Sequence, residues 1–290
     1  MYKKESKVVI KKEIIKEGGH AIEGASKIPK EQIDNTLKAL ERDFLIPQLN
    51  LSLDQCAVVG STGKKDKSGD IDLAIPFTAL NGNMDVDTFF HHAYVYLYDF
   101  YEKISTSFKC KLNLQYKQIH LGVPQYDTNN EKTNNLAQVD LMFGNVSYLK
   151  WACYSDPQKS AYESWVRNSL LASLAETKKI IKFTEEKYQV VLGLTFDNYS
   201  GLLSTVYTTN SDKELSQGKT LINIDLITDN PDELLSTLFD DQINSNNVLL
   251  AEDVIELLKS KGLNTKEFKQ VFQKYMLDKH YNDVKILEVL

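Results

Sequence analysis

The chain has 290 residues, 42% hydrophobic and 26% charged, with a formal net charge of −6. That is the make-up of a soluble globular protein long enough for one large domain or two ordinary ones, and it argues against a protein that is basic all over. No stretch has the apolar length that spans a bilayer, and the charged start Met1-Tyr2-Lys3-Lys4-Glu5 lacks the apolar run of a signal peptide, so a cytoplasmic protein with no membrane partner is expected. Cys56, Cys110 and Cys153 are scattered and without metal-ligand spacing, which reads as reduced core thiols.

Charge is unevenly spread. Lys3, Lys4, Lys7, Lys11, Lys12 and Lys16 crowd the start, whereas Asp225 to Leu258 holds nine acidic residues and no Lys or Arg. A polyanion would meet the N-terminal half and be repelled by the C-terminal part. Gly18-Gly19 marks a break before His20. A helix is predicted from about Pro29 or Glu31 to Pro47, with Ile33, Leu37, Leu40 and Phe44 on one face.

Cys56 to Val59 reads as a short buried strand. Gly60-Ser61 is a sharp turn, and a Lys-rich loop leads to a second strand that opens with Asp70-Ile71-Asp72 and ends at Phe77. Asn81-Gly82-Asn83 is turn chemistry, and Asp85 or Asp87 caps a helix whose aromatic stripe reads as core. Lys111 to Tyr116 alternates as a strand, with Ile119-His120-Leu121 extending it or lying at its end. Ala137 to Phe143 is a further strand with Asp140 in its middle. From Ser147 onward helices are predicted at Tyr148–Tyr154, Ala161–Lys179, Pro231–Phe239, Ala251–Lys261 and Thr265–Asp278, with strands only at Tyr188–Phe196 and Gly201–Tyr207. The expected division is residues 1–150 and 151–290.

Asp70 and Asp72 sit at i and i+2, so on a strand both carboxylates share one face. Like charges held that close are costly without a cation between them. With Asp140 on another strand, the three could converge on hard divalent ions such as Mg²⁺ or Mn²⁺, which clamp the oxygens of a phosphoryl group. Gly60 lets backbone approach a phosphate, and the Ser61 hydroxyl with nearby N–H groups can hold its oxygens; a plain tight turn is the bland alternative.

Gly60-Ser61, then Asp70-Ile71-Asp72, then a lone strand aspartate at Asp140, resembles the signature of the nucleotidyltransferase superfamily, which includes the DNA polymerase beta-like enzymes. The chain is also similar to uncharacterised phage-encoded members, whose setting would be the host cytoplasm. The resemblance covers roughly residues 56–143. It implies an α+β fold: a small mixed sheet flanked by helices, followed by a mainly helical C-terminal domain that closes over the nucleotide. It implies that Asp70 and Asp72 ligate both metals, that Asp140 ligates one and helps activate an acceptor hydroxyl, and that Gly60-Ser61 holds the triphosphate of an NTP. The acceptor stays open between an RNA 3′ end, a protein and a small molecule. A silent nucleotide-binding or scaffold protein of the same fold is the alternative.

Gly63-Lys64 fails the spacing of a Walker loop, and Ile71 stands where a calcium loop needs Gly. Lys64, Lys65 and Lys67 fit phosphate neutralisation or a solvated loop, with Lys65 carried forward as nucleotide-binding. Arg167, beside Trp165 and Asn168 on the first long helix of the second half, is placed to reach triphosphate or base, against a surface salt bridge. His20 and His120 read as structural, and His91-His92 as lacking a carboxylate partner in register.

Overall fold

The computed structural model describes residues 21–82, 84–178, 180–185, 188–210, 220–278 and 285–290. His20, Asn83 and the Lys-rich start fall outside them.

The first strands are β1 (Ile28–Pro29), β2 (Ala57–Val58), β3 (Lys67–Ser68) and β4 (Ile71–Pro76). They are followed by β5 (Cys110–Asn113), β6 (Gln118–Tyr126) and β7 (Lys132–Gly144). Five of these form one mixed sheet in the order β2-β4-β7-β6-β5, parallel only between β4 and β7. Period-two alternation gives the sheet two unlike faces. Ile71, Leu73, Ile75, Ile119, Leu121, Val139, Leu141 and Phe143 are fully buried on one of them. Helices α1 (Ile33–Leu40) and α2 (Val86–Ser105) cover that face with Ile33, Leu37, Leu97 and Ile104. At about 1.5–3 kcal/mol for each large apolar side chain, this layer is the main source of stability in the N-terminal half.

Local chemistry explains the element ends. Asp85 rather than Asp87 caps α2, accepting from Thr88 N at 2.7 Å. Asp87 instead lies one turn from His91, 3.5 Å from its Nε2, so His91 does have a carboxylate in register, contrary to expectation. The chain runs on from α1 as a π-helical segment, Glu41–Leu49, that accommodates Pro47 and ends on left-handed Asn50.

The predicted strand over Lys111–Tyr116 is corrected to a hairpin. Leu114–Tyr116 form a 3-10 turn, Lys117 takes φ +50°, and β6 returns antiparallel to β5. That reversal sets His120 opposite Asp140.

The C-terminal half carries helices α4 (Ser164–Thr177), α5 (Pro231–Phe239), α6 (Ala251–Ser260), α7 (Lys266–Asp278) and α8 (Lys285–Val289). Beside them stands an antiparallel sheet of β8 (Ile180–Glu185), β9 (Tyr188–Asp197), β10 (Gly201–Asn210) and β11 (Thr220–Thr228), ordered β11-β10-β9-β8. The fold is α+β. A second core, built from residues such as Leu170, Leu235, Leu258 and Phe272, belongs to this half. Helix α3 (Val146–Ala152) lies between the two: Tyr148 and Trp151 join the second core, and Leu149 packs with Val59, Ala74 and Met142 of the first half. Residue 150, the expected division, is inside this helix. Among the described residues no helix is long and apolar enough to cross a membrane.

Candidate active site

The second face of the five-stranded sheet is apolar only at Ala74 and Met142, which Leu149 covers, and polar beside them. Asp72 on β4, Asp140 on β7, His120 on β6 and Lys111 on β5 stand in one row across four strands. Asp70 lies one residue before β4 and is close enough that its charge acts on Asp72. Burial first, then the charges of Asp70 and Asp140, hold the Asp72 carboxyl well above the usual carboxylate range. The structure thus brings the three expected aspartates into one electrostatic neighbourhood at the paired edges of β4 and β7.

Asp140 is held by two side chains. Its Oδ1 accepts from Gln138 Nε2 at 2.8 Å and pairs with His120 Nδ1 at 2.7 Å, both inside the protein. Gln138 is itself anchored, its Oε1 accepting from the backbone N–H groups of Ala21 and Ile22. His120, read from sequence as structural, lies against one of the candidate aspartates. The available signal was its place in an Ile-His-Leu strand, where an inward polar residue requires a partner.

The Gly60 turn packs directly on Asp72. Gly60 has φ +66°, and a Cβ built there would overlap Asp72 Oδ2, so glycine is required twice over. Asp72 N donates to Thr62 Oγ1 at 3.0 Å, and Gly63 N donates to Ser68 Oγ at 2.9 Å. Thr62 was not singled out by sequence reading. Ser61 is exposed at the tip of the turn, its carbonyl accepting from Lys64 N.

The lysines divide. Lys64 Nζ donates to Gly60 O at 2.9 Å and to Ser155 O, and lies 4.8 Å over the Tyr154 ring. Burial lowers its pKa. It braces the turn from behind and is spent on carbonyls. Lys65 and Lys67 are exposed.

Arg167 requires a correction. It is fully buried, donating to Trp151 O at 2.7 Å, Ala152 O at 2.6 Å and Leu249 O at 2.9 Å, and it stacks 4.7 Å over Trp151. Its Nε and Nη2 also donate to Asn168 Oδ1. Burial pulls its pKa down to about 10, which still leaves a cation at neutral pH. Every face of the guanidinium is occupied by protein, so neither a nucleotide contact nor a surface salt bridge describes it. It satisfies the carbonyls at the end of α3, the helix-end need that position and type alone do not reveal.

The second half reaches this face at two places. Gly60 N donates to Cys153 O at 3.1 Å, and burial, with Asp72 adding to it, pushes the Cys153 thiol up to about 12. The β9–β10 turn brings in Tyr199, whose hydroxyl is 3.5 Å from Gln118 Nε2. Burial raises the Tyr199 phenol well above its ordinary value, with Cys153 and then Asp72 contributing.

As donors for a hard divalent ion the aspartates fit in chemistry and in charge: they offer carboxylate oxygens, and the charges of Asp70 and Asp140 both act on Asp72. In arrangement they are not closed, since among the described residues no group of three or more His, Cys, Asp or Glu side chains is gathered as a metal site.

No protein-family model matches the chain, and no curated protein matches it. Among solved structures it is similar to Leishmania infantum polymerase beta in a ternary P/T complex, with TM-score 0.39 and 16% identity over 81% of this chain and 74% of that one. A likeness that loose leaves the site to be argued from its own geometry.

Proposed function

We propose that the chain is a metal-dependent nucleotidyltransferase that moves a nucleoside monophosphate from an NTP to an acceptor hydroxyl. The acceptor oxygen bonds to the α-phosphorus, the bond to the leaving pyrophosphate breaks, and the hydroxyl proton departs toward the Asp140 side. Asp70 and Asp72 would hold both Mg²⁺ or Mn²⁺ ions and Asp140 one of them. The ions would supply neutralisation of charge on the attacking and leaving oxygens. The residues themselves act mainly by position: Gly60 lets the turn sit directly on Asp72, the exposed Ser61 hydroxyl can donate to phosphate oxygens, and Lys65 adds charge at the rim. The single observation that carries this reading is the in-register pair Asp72–Asp140 beneath a glycine turn that leaves no room for a Cβ.

Two observations favour a second reading, a nucleotide-binding or scaffold protein without turnover. The Gly60 N–H already donates to Cys153 O, and the three carboxylates are not closed around a point. Incubation with each labelled NTP and Mg²⁺, with and without total RNA or cell lysate, separates the two. Label entering RNA, protein or a small molecule names the acceptor, and loss of transfer in Asp70→Asn/Asp72→Asn with the fold retained is the expected control. Transfer surviving in that double variant overturns the mechanism. Binding without transfer across every acceptor favours the scaffold.

A further inference from the structure

His120 is 5% exposed and is the third residue of β6, between fully buried Ile119 and Leu121. Its Nδ1 lies 2.7 Å from Asp140 Oδ1. Its Nε2 is buried and meets no hydrogen-bond partner among the described residues. A histidine kept for stability satisfies both ring nitrogens or gives way to an aliphatic residue, because a buried polar atom without a partner is a net loss. His120 accepts that loss at one nitrogen and makes its one polar contact to a carboxylate of the candidate site. At 2.7 Å from the carboxylate oxygen, Nδ1 is the ring nitrogen placed to donate to it, while Nε2 points where no described residue meets it.

The Gln138 amide reaches the same oxygen from two positions away on the same strand face, so both donors converge on Oδ1. No described residue donates to Oδ2. The two donors therefore set the rotation of the carboxylate and leave Oδ2 as the oxygen without a protein partner.

We propose that His120 is a positioning residue: through Nδ1–H, together with Gln138, it locks the Asp140 carboxylate with Oδ2 free to ligate a divalent ion beside Asp72. This rests on the nucleotidyltransferase reading of the site and goes beyond it in naming what orients the third ligand. Donors behind a ligating carboxylate commonly tune affinity about 10–100-fold.

The test uses the full chain and Mn²⁺ alone, followed by electron paramagnetic resonance, in wild type, His120→Leu, His120→Asn and Asp70→Asn/Asp72→Asn. His120→Leu should bind Mn²⁺ about 10-fold or more weakly while melting no lower than wild type by more than a few degrees. His120→Asn, whose amide nitrogen replaces Nδ1, should recover most of the affinity. In the transfer assay the leucine variant should lower kcat and leave KM for NTP unchanged. The ¹⁵N shifts of the His120 ring should report a proton on Nδ1. Wild-type Mn²⁺ affinity in a folded His120→Leu variant, or a ring protonated on Nε2 alone, overturns the proposal while the nucleotidyltransferase reading stands. A wild type that binds Mn²⁺ no better than Asp70→Asn/Asp72→Asn overturns both.

Discussion

The two faces of the five-stranded sheet are made by the same strands and obey opposite rules. On one, Leu73, Leu141 and Ile119 are sealed under α1 and α2. On the other, one residue along each strand, Asp72, Asp140 and His120 gather charge and a partnerless ring nitrogen where burial penalises both. The first face supplies stability and asks nothing of chemistry. The second gives stability away, and that is the physical mark of a site. A one-residue slip of β7 would exchange the two sets, so the apolar face also fixes the register that pairs Asp72 with Asp140.

The contrast can be broken in order of expected effect. Leu141→Ala should cost about 2–5 kcal/mol by urea unfolding and leave Mn²⁺ affinity of the folded protein untouched; a specific loss of metal binding would mean that the faces are not separable. Arg167→Lys should lose roughly 2–3 kcal/mol, because an ammonium cannot serve three carbonyls and Asn168 together, with NTP affinity unchanged. Weakened nucleotide binding at full stability would return Arg167 to the site. Gly60→Ala should cost about 1–3 kcal/mol through its positive φ and should displace Asp72, read as lost transfer at temperatures where the variant is still folded.

Asp72→Asn should act in the other direction. A carboxyl held above its unfolded pKa favours the fold fully only below the unfolded value, and that contribution is lost as pH rises through the folded value. In chelator at neutral pH the asparagine variant should therefore melt higher, by about 2–4 °C for each kcal/mol relieved. The gain should fade toward pH ~4, where the unfolded aspartate protonates. A gain that is constant with pH would mean that Asp72 carries no excess charge. Adding Mg²⁺ should raise the melting temperature of wild type and leave the variant where it was. Lys65→Ala, the smallest, should change stability by less than about 0.5 kcal/mol and lower NTP affinity a few-fold in a binding titration.

Much of this was legible in the residues because it followed from spacing. Alternation in Ile71–Pro76 and Ala137–Phe143 gave the central strands, and the stripe Ile33, Leu37, Leu40, Phe44 gave α1, all four now buried. Pro231 placed α5 to the residue. What was missed depends on partners far along the chain. The reversal at Lys117 needs a left-handed residue that is not glycine, so no turn signal announces it. The strand β8 follows a helix with no turn signal between them, whereas β11 carried the alternation Ile222-Asn223-Ile224-Asp225-Leu226 and was legible but not read. Arg167 carried the right charge in an inviting position, and only the three-dimensional ends of α3 reveal what it binds. The aspartates of the candidate site were legible because their burden is local: charge among apolar neighbours on a strand. Their support in His120, Gln138 and Thr62 was not, because each acts across a turn or a strand.

The bond from Gly60 to Cys153 has a practical consequence for anyone dividing the chain. A fragment stopping at residue 150 would cut through α3 and take away Cys153, Tyr154 and Ser155, the groups against which the Gly60 turn and Lys64 are braced. Its sheet would keep the aspartates but not the backstop that holds the Gly60 turn in its left-handed shape. The smallest piece worth expressing for chemistry therefore runs past Ser155, and because Arg167 and Leu249 secure the end of α3 in turn, that piece is close to the whole molecule.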